Sequence, residues 1–238
     1  MSTLYIVMPA YNEEVNIDAV VAQWHPVVEK IGGDSRLLIV NDGSKDNTYQ
    51  KMVLMQAQYP FLQPIDKPNS GHGATCLFAY RKAINAGANY IFQTDSDGQT
   101  NPDEFWKFWE NRDKYSFIIG SRDVRQDGMW RVFVTHVLRI VVWLMFGEWV
   151  KDANTPFRLM KTEHLTPILR FIPEDFFLSN VAISVIAVKK KEARLWLPIT
   201  FKPRQGGENS INVKRIFKIG WKALGDFRNI KKQLKNSL

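Results

Sequence analysis

Two carboxylates one residue apart, Asp95 and Asp97, follow a short apolar run, Tyr90-Ile91-Phe92-Gln93-Thr94, and precede Gly98-Gln99. The run reads as a buried strand. The acids and the Gln99 amide then stand at a strand's C-terminal end, the edge where open α/β sheets bind ligands. Hard oxygen donors at this spacing suit Mg²⁺ or Mn²⁺, shared with phosphate oxygens rather than caged by protein alone. Taken singly, an acid-x-acid triplet is also a common solvated turn.

The elements that must position these groups alternate in type. Leu4–Met8 is a first apolar strand ending at Pro9, and Ile17, Val20, Val21, Trp24, Val27 and Val28 recur at helical spacing. Arg36–Val40 is a second strand, closed by Asn41-Asp42-Gly43-Ser44, with Asp46 as the expected N-cap of the next helix. Phe61–Ile65 reads as a third strand, Gly71–Ala86 as a helix, and Phe117–Ser121 as a strand beyond the acids. Alternating β and α units predict an α/β fold with a mixed, mostly parallel sheet and helices on both faces.

The 238 residues suffice for one large domain, and a charged fraction of 24% is that of an ordinary globular protein. With Cys76 alone there is no intrachain disulfide, and the chain opens into a strand rather than a leader, which together predict a cytoplasmic protein. The net charge of +8 is concentrated after residue 212, where eight cations meet one acid, Asp226. Nucleic acid is therefore not the expected partner, since a binder of it would carry a basic stripe across the fold. The segment 213–238 instead reads as a basic amphipathic helix, with Ile216, Phe217, Trp221, Leu224, Phe227, Ile230 and Leu234 at helical spacing. That pattern suits a membrane-surface anchor, and equally a terminal helix docked on the domain. A second segment, about 131–146, is apolar nearly all round but shorter than the roughly 20 residues that span a bilayer. It is either a core helix or an interfacial one.

Pro9-Ala10-Tyr11-Asn12-Glu13, Asn41-Asp42-Gly43-Ser44, Asp95-Ser96-Asp97, Gly120-Ser121-Arg122, Phe157-Arg158-Leu159-Met160 and Arg204-Gln205-Gly206-Gly207-Glu208-Asn209-Ser210 occur in this order. As an ordered set they resemble the family 2 glycosyltransferases, and within them the dolichyl- and polyprenyl-phosphate sugar transferases. The resemblance covers nearly the whole chain, with residues 1–212 as the catalytic domain. It implies a GT-A fold, a nucleotide-sugar donor and a divalent cation, in a hexosyltransferase of cell-wall or surface-glycan synthesis. Asp97 would ligate the metal with Gln99, and Asp95 would lie near the ribose and the metal shell. Pro9, Tyr11, Glu13 and Asp42 would hold the nucleoside, and Arg204 would fold over the diphosphate. A UDP-hexose or UDP-N-acetylhexosamine is the expected donor.

The acceptor sets the rest of the chemistry. A lipid phosphate is already an anion and needs no base. The resemblance then places Arg122 and Arg131 on its oxygens, with Thr135 one helical turn beyond. A sugar hydroxyl, on a glycan or a lipid-linked glycan, would need a carboxylate to take its proton, and Asp175 in Pro173-Glu174-Asp175-Phe176 matches the motif that supplies one. The first reading is preferred because Arg122, Arg131, the apolar segment and the basic tail agree. It puts the protein at the inner face of the membrane, with a membrane protein or a second copy as a further partner. The processive Gln-x-x-Arg-Trp motif is absent, so one sugar is transferred, and direct displacement inverts the anomeric centre. A non-catalytic membrane-surface protein on the same fold is the competing class; it would be expected to have lost Asp97 or Arg204.

Overall fold

A computed structural model describes residues 2–121, 139–148, 150, 152–202 and 213–235, with the backbone alone over 213–223. Its strands are β1 (Leu4–Ala10), β2 (Arg36–Asp42), β3 (Leu62–Lys67), β4 (Tyr90–Gln93), β5 (Phe117–Ser121), β6 (Arg158–Lys161) and β7 (Arg194–Pro198). Its helices are α1 (Ile17–Ile31), α2 (Thr48–Met55), α3 (His72–Asn85), α4 (Phe105–Glu110), α5 (139–146), α6 (Thr162–Leu169), α7 (Ser179–Lys189) and α8 (Val213–Lys235).

The strands form one sheet in the order β3-β2-β1-β4-β6-β5-β7. Four pairings are parallel, and β6 runs antiparallel to both β4 and β5. Central β1 is buried at all seven positions, as a strand covered on both faces must be. Its alternate residues feed two cores. Leu4, Ile6 and Met8 face α1, α2 and α4, while Tyr5 and Val7 face α3, α6, α7 and α8. In the first core Trp24, Phe92, Phe105, Phe108 and Phe157 form an aromatic cluster, with Phe92 and Phe157 edge to face at 4.7 Å. Such a pair adds about 1 kcal/mol beyond its buried area. Pro64 lies in β3, the edge strand, where its missing N–H is tolerated.

The mixed, mostly parallel sheet agrees with the sequence reading, and the first five strands lie where the pattern puts them to within two residues. The first helical turn of α2 differs slightly. Its N-cap is Asn47 rather than Asp46, although the Asp46 carboxylate accepts the Thr48 N–H at 3.1 Å and so performs a capping bond from one position earlier. The segment beyond β5 was read less completely: β6 and β7 have no separate sequence signal, and β6 enters between β4 and β5 against their direction. Buried Arg158 fixes that entry. Its guanidinium donates to the carbonyls of Ala153, Thr155 and Asn180 at 2.6–3.1 Å.

The apolar segment is helical over 139–146 and is neither wholly core nor wholly exposed. Val142 and Phe146 are buried, while Ile140, Trp143 and Leu144 are exposed. The later half of α8 packs on the domain: Phe227, Ile230 and Leu234 are buried, with Phe227 against Phe146 and Phe176. No helix among the described residues is long and apolar enough to cross a membrane.

Candidate active site

Strand order reverses at β1, which has β2 on one side and β4 on the other. The loops leaving neighbouring strands diverge at such a switch point and leave a crevice at their C-terminal ends. Asp95, Ser96 and Asp97 leave β4 there. Ser96 is buried and its hydroxyl donates to the Pro9 carbonyl at 2.8 Å, joining the acidic turn to the end of β1.

The β1 and β2 loops are themselves stitched together. Asn12 adopts φ 55°, a left-handed conformation that asparagine tolerates. From it the backbone N–H donates to Ser44 Oγ at 2.9 Å and the side-chain oxygen accepts the Lys45 N–H at 2.8 Å. The Glu13 N–H donates to Thr48 Oγ1 at 2.9 Å, and the Glu13 carboxylate accepts from the Asn16 amide at 2.7 Å. Glu14 meets Asp46 and Asn47 in the same way. Gly43 closes this corner, at φ +64° and with Asn69 N only 2.7 Å from where a Cβ would lie. Tyr11 is 40% exposed, so its ring is available to a ligand.

Asp42 is buried, and its carboxylate is engaged by protein. It accepts from Lys67 Nζ, from the Ser70 N–H at 2.8 Å and from the Gly71 N–H at 2.9 Å. Burial disfavours its charge, but the Lys67 ammonium and the Ser70 N–H outweigh that and hold the carboxyl below the usual carboxylate range. Asp42 thereby ties the end of β2 to the start of α3. Beside it a cleft of about 300 Å³ runs along Asn41, Gly43, Ser44, Asp66 and Lys67. Asn41 donates to Asp66 at 2.6 Å, and among the described residues its own Oδ1 has no partner, leaving a buried acceptor that a ligand N–H would satisfy.

Of the two acids, Asp95 lies 3.0 Å from His72 Nε2 at the first turn of α3. The neighbouring Cys76 sulfur and then the Asp95 carboxylate raise the His72 imidazole well above its ordinary pKa, against the opposing effect of desolvation. His72 is not among the residues the sequence reading assigned to the site. Its signal is tertiary: α3 begins where β4 ends. Asp97 accepts the Gln99 N–H at 3.1 Å, and Gln99 is buried with its Nε2 donating to the Lys202 carbonyl at 2.8 Å. That leaves the Gln99 oxygen as the atom able to serve a cation. Lys202 in turn donates its N–H to the Gln99 carbonyl at 2.8 Å, so the chain enters residues 203–212 from beside the acidic turn.

These donors fit a divalent cation. Two carboxylates and an amide oxygen are hard ligands, and among the described residues no three His, Cys, Asp or Glu side chains gather into a protein cage. The fit is to an ion that completes its shell with phosphate oxygens and water.

The Asp175 loop abuts the same corner. A Cβ on Gly73 would lie 2.1 Å from the Phe177 carbonyl oxygen, so only glycine lets the 176–177 backbone approach α3 this closely, one residue from His72. Asp175 itself is exposed. Arg122, Arg131, Thr135 and Arg204 lie outside the described residues.

Below the crevice a polar layer is fully enclosed. Tyr80 donates to Gln93 Oε1, Gln93 Nε2 donates to Cys76 Sγ at 3.6 Å, and Asn180 Oδ1 stands 3.2 Å from the Tyr80 hydroxyl. Burial raises the Tyr80 phenol well above its ordinary value, so it remains a neutral donor.

Comparisons with known proteins agree with this architecture. The solved structure of glucosyl-3-phosphoglycerate synthase from Mycobacterium tuberculosis in complex with Mn²⁺, UDP-glucose and phosphoglyceric acid superposes with a TM-score of 0.71 at 16% identity, covering 97% of this chain and 80% of that one. S. aureus TarS 1–349 in complex with UDP-GlcNAc gives 0.64 at 15% identity, over 94% of this chain and 66% of that one. The fold is thus GT-A. An undecaprenyl-phosphate 4-deoxy-4-formamido-L-arabinose transferase of Salmonella paratyphi B is 20% identical over 217 residues, 90% of this chain. The chain spans 64% of the length of that relative. The model of the family described as glycosyl transferase family 2 matches residues 5–169, more than half of the sequence, and the chain belongs to that family.

Proposed function

We propose that the protein transfers one sugar from a nucleotide-sugar donor to a polyprenyl phosphate, with inversion at the anomeric carbon. The observation that carries this reading is the placement of Asp95-Ser96-Asp97 in the β1/β4 switch-point crevice, bonded to the Pro9 loop. Asp42, Asn12 and Glu13 hold the crevice wall in shape, and Tyr11 offers an exposed ring to the nucleoside. Mg²⁺ or Mn²⁺ would be held by Asp97 and the Gln99 oxygen, with Asp95 oriented by His72, and when bound it supplies neutralising charge to the departing diphosphate. Arg204 stands two residues beyond Lys202, which Gln99 anchors, and is assigned to the same diphosphate.

An acceptor phosphate oxygen attacks the anomeric carbon, and the bond from that carbon to the diphosphate oxygen breaks. The nucleoside diphosphate departs with the electron pair. No proton has to be removed from an anionic acceptor. Arg122, Arg131 and Thr135 are assigned to its oxygens on their match to the lipid-phosphate branch, and the undecaprenyl-phosphate acceptor named for the Salmonella relative supports that branch. UDP donors are favoured because both structural neighbours are recorded with UDP-sugars. A lipid acceptor would put the reaction at a membrane surface, and we assign it to the inner face.

A second reading rests on the Asp175 loop, which packs one residue from His72. There Asp175 would take the proton of a sugar hydroxyl. Turnover of a panel of nucleotide sugars with Mn²⁺, with and without short-chain polyprenyl phosphate, separates the two. Nucleotide release dependent on the lipid phosphate is expected. Release with sugar-hydroxyl acceptors alone would transfer the mechanism to Asp175.

A further inference from the structure

Helix α5 divides its apolar residues between two environments. Val142 and Phe146 are buried, the latter against Phe227 of α8 at 5.7 Å between ring centroids. Ile140, Trp143 and Leu144 are 49%, 50% and 67% exposed. Spacings of three and four residues put these three on one helix face. Scattered exposed apolar residues are ordinary on a soluble surface, but three on a single turn, one of them tryptophan, form a patch.

Helix α8 shows the reverse arrangement. Phe227, Ile230 and Leu234 face the core, while Arg228, Lys232 and Lys235 are exposed. The apolar stripe therefore comes from one helix and the cations from the helix packed beside it. Glu148, just beyond the end of α5, is paired with Lys189 at 3.2 Å. We propose that the Ile140-Trp143-Leu144 face of α5, together with the exposed cations of the neighbouring helix α8, docks the protein on a bilayer bearing anionic head groups.

Tryptophan, with an apolar ring and one N–H, suits the boundary between acyl chains and head groups, and Arg and Lys beside it attract anionic lipid. A second copy of this chain is the less suitable occupant, because a two-fold contact would pair two surfaces of the same positive sign, whereas an anionic bilayer complements that sign. The surface is also joined to the crevice. Phe227 packs on Phe176 at 5.3 Å, and the Phe176 loop abuts Gly73 beside the His72–Asp95 pair. A lipid-borne phosphate could thus reach the site from a docked protein, so the proposal rests on the lipid-phosphate reading for its purpose but not for its measurement.

The test is flotation of the full chain with vesicles of phosphatidylcholine, alone or with about 30 mol % phosphatidylglycerol. Binding to the anionic vesicles that weakens at high salt is expected. Paired Trp143→Ser and Leu144→Ser changes should lower the bound fraction about tenfold, and Trp143→Phe should restore most of it in the Leu144 background. Paired Arg228→Gln and Lys232→Gln changes should reduce anionic binding toward the phosphatidylcholine level. Thermal melting confirms that each variant is folded. Equal binding by folded Trp143/Leu144 variants would overturn the proposal, as would no binding of the unaltered protein to either vesicle. A concentration-dependent dimer that the same variants abolish would overturn it in favour of a second copy. No sugar donor is present, so a failed transferase assay and a failed flotation are separate results.

Discussion

The two sides of the crevice are built by different physics. On the side proposed to hold the nucleotide, from Pro9 to Gly71 and across Asp95 to Gln99, side chains and backbone are bound to one another by short polar contacts: Ser96 to Pro9, Asn12 to Ser44 and Lys45, and Asp42 to Lys67, Ser70 and Gly71. On the side proposed for the acceptor the contacts are apolar. Phe146 and Phe176 each meet Phe227 edge to face where α5, the 173–178 loop and α8 come together, and α5 leaves Ile140, Trp143 and Leu144 uncovered. A diphosphate with a cation needs fixed dipoles set before the charge moves, and hydrogen-bonded loops provide them. An acyl chain has no direction to recognise and needs only a surface that prefers it to water.

The contrast can be broken at several points. The largest effect is expected at Asp97. Asp97→Ala should lower metal-dependent turnover by about a thousandfold or more, because it removes the half-buried carboxylate proposed as a metal ligand, while the loss of its hydrogen bond from the Gln99 N–H should lower the melting temperature only slightly. Full turnover in that variant would remove the central claim for the polar side.

Arg158→Leu tests the seam between the two sides. The Thr155 carbonyl loses the guanidinium donor, and the Ala153 and Asn180 carbonyls are left to share the Ser184 hydroxyl. Denaturant unfolding should show a loss of about 3 kcal/mol. A loss below about 1 kcal/mol would mean that the antiparallel strand is held by its ladders to β4 and β5 and by packing, without need of Arg158.

Ser96→Ala removes one neutral hydrogen bond between the acidic turn and β1. It should cost about 1 kcal/mol of stability and slow turnover about tenfold through misplacement of Asp97. Asp175→Asn sharpens the acceptor side. Under the phosphate reading turnover changes by less than about threefold, whereas a loss of about 10²-fold or more would mark Asp175 as the base.

The smallest effect is in the α1 core. Burial holds the His25 imidazole below its ordinary value, and its Nε2 accepts the Phe61 N–H at 3.2 Å, a bond that protonation breaks. The unfolded chain therefore takes up this proton first. The contribution is complete above about pH 6.5 and is lost as pH falls from there toward the folded value. Stability measured across that window should vary less with pH in His25→Gln. An unchanged pH dependence would assign the window to other groups.

Much of the polar side was legible in the residues. Period-two and continuous apolar runs gave β1, β2, β4 and β5, and the acids at the end of β4 followed from that strand. Asp42 was picked out as a candidate site residue, yet its carboxylate accepts from Lys67, Ser70 and Gly71, which only the meeting of β2, β3 and α3 brings within reach. His72 was missed for the same reason, being 23 residues from Asp95. The four-residue strand β6 carries too short a pattern to announce its direction, and its reversal depends on Arg158 bonding carbonyls from three other positions.

By itself the sequence determined which segments are strands or helices in the first half, because periodicity and turn residues are local, and it determined the chemistry of the acidic turn, because ligand hardness belongs to the side chain. The tertiary structure decided which side of each amphipathic helix is spent on the core. The apolar face of α8 and that of α5 are alike in composition. Phe227 found Phe146 and Phe176 to pack against, whereas Trp143 and Leu144 were left at the surface. Periodicity reports that a helix has an apolar face; what that face meets depends on partners distant in the chain.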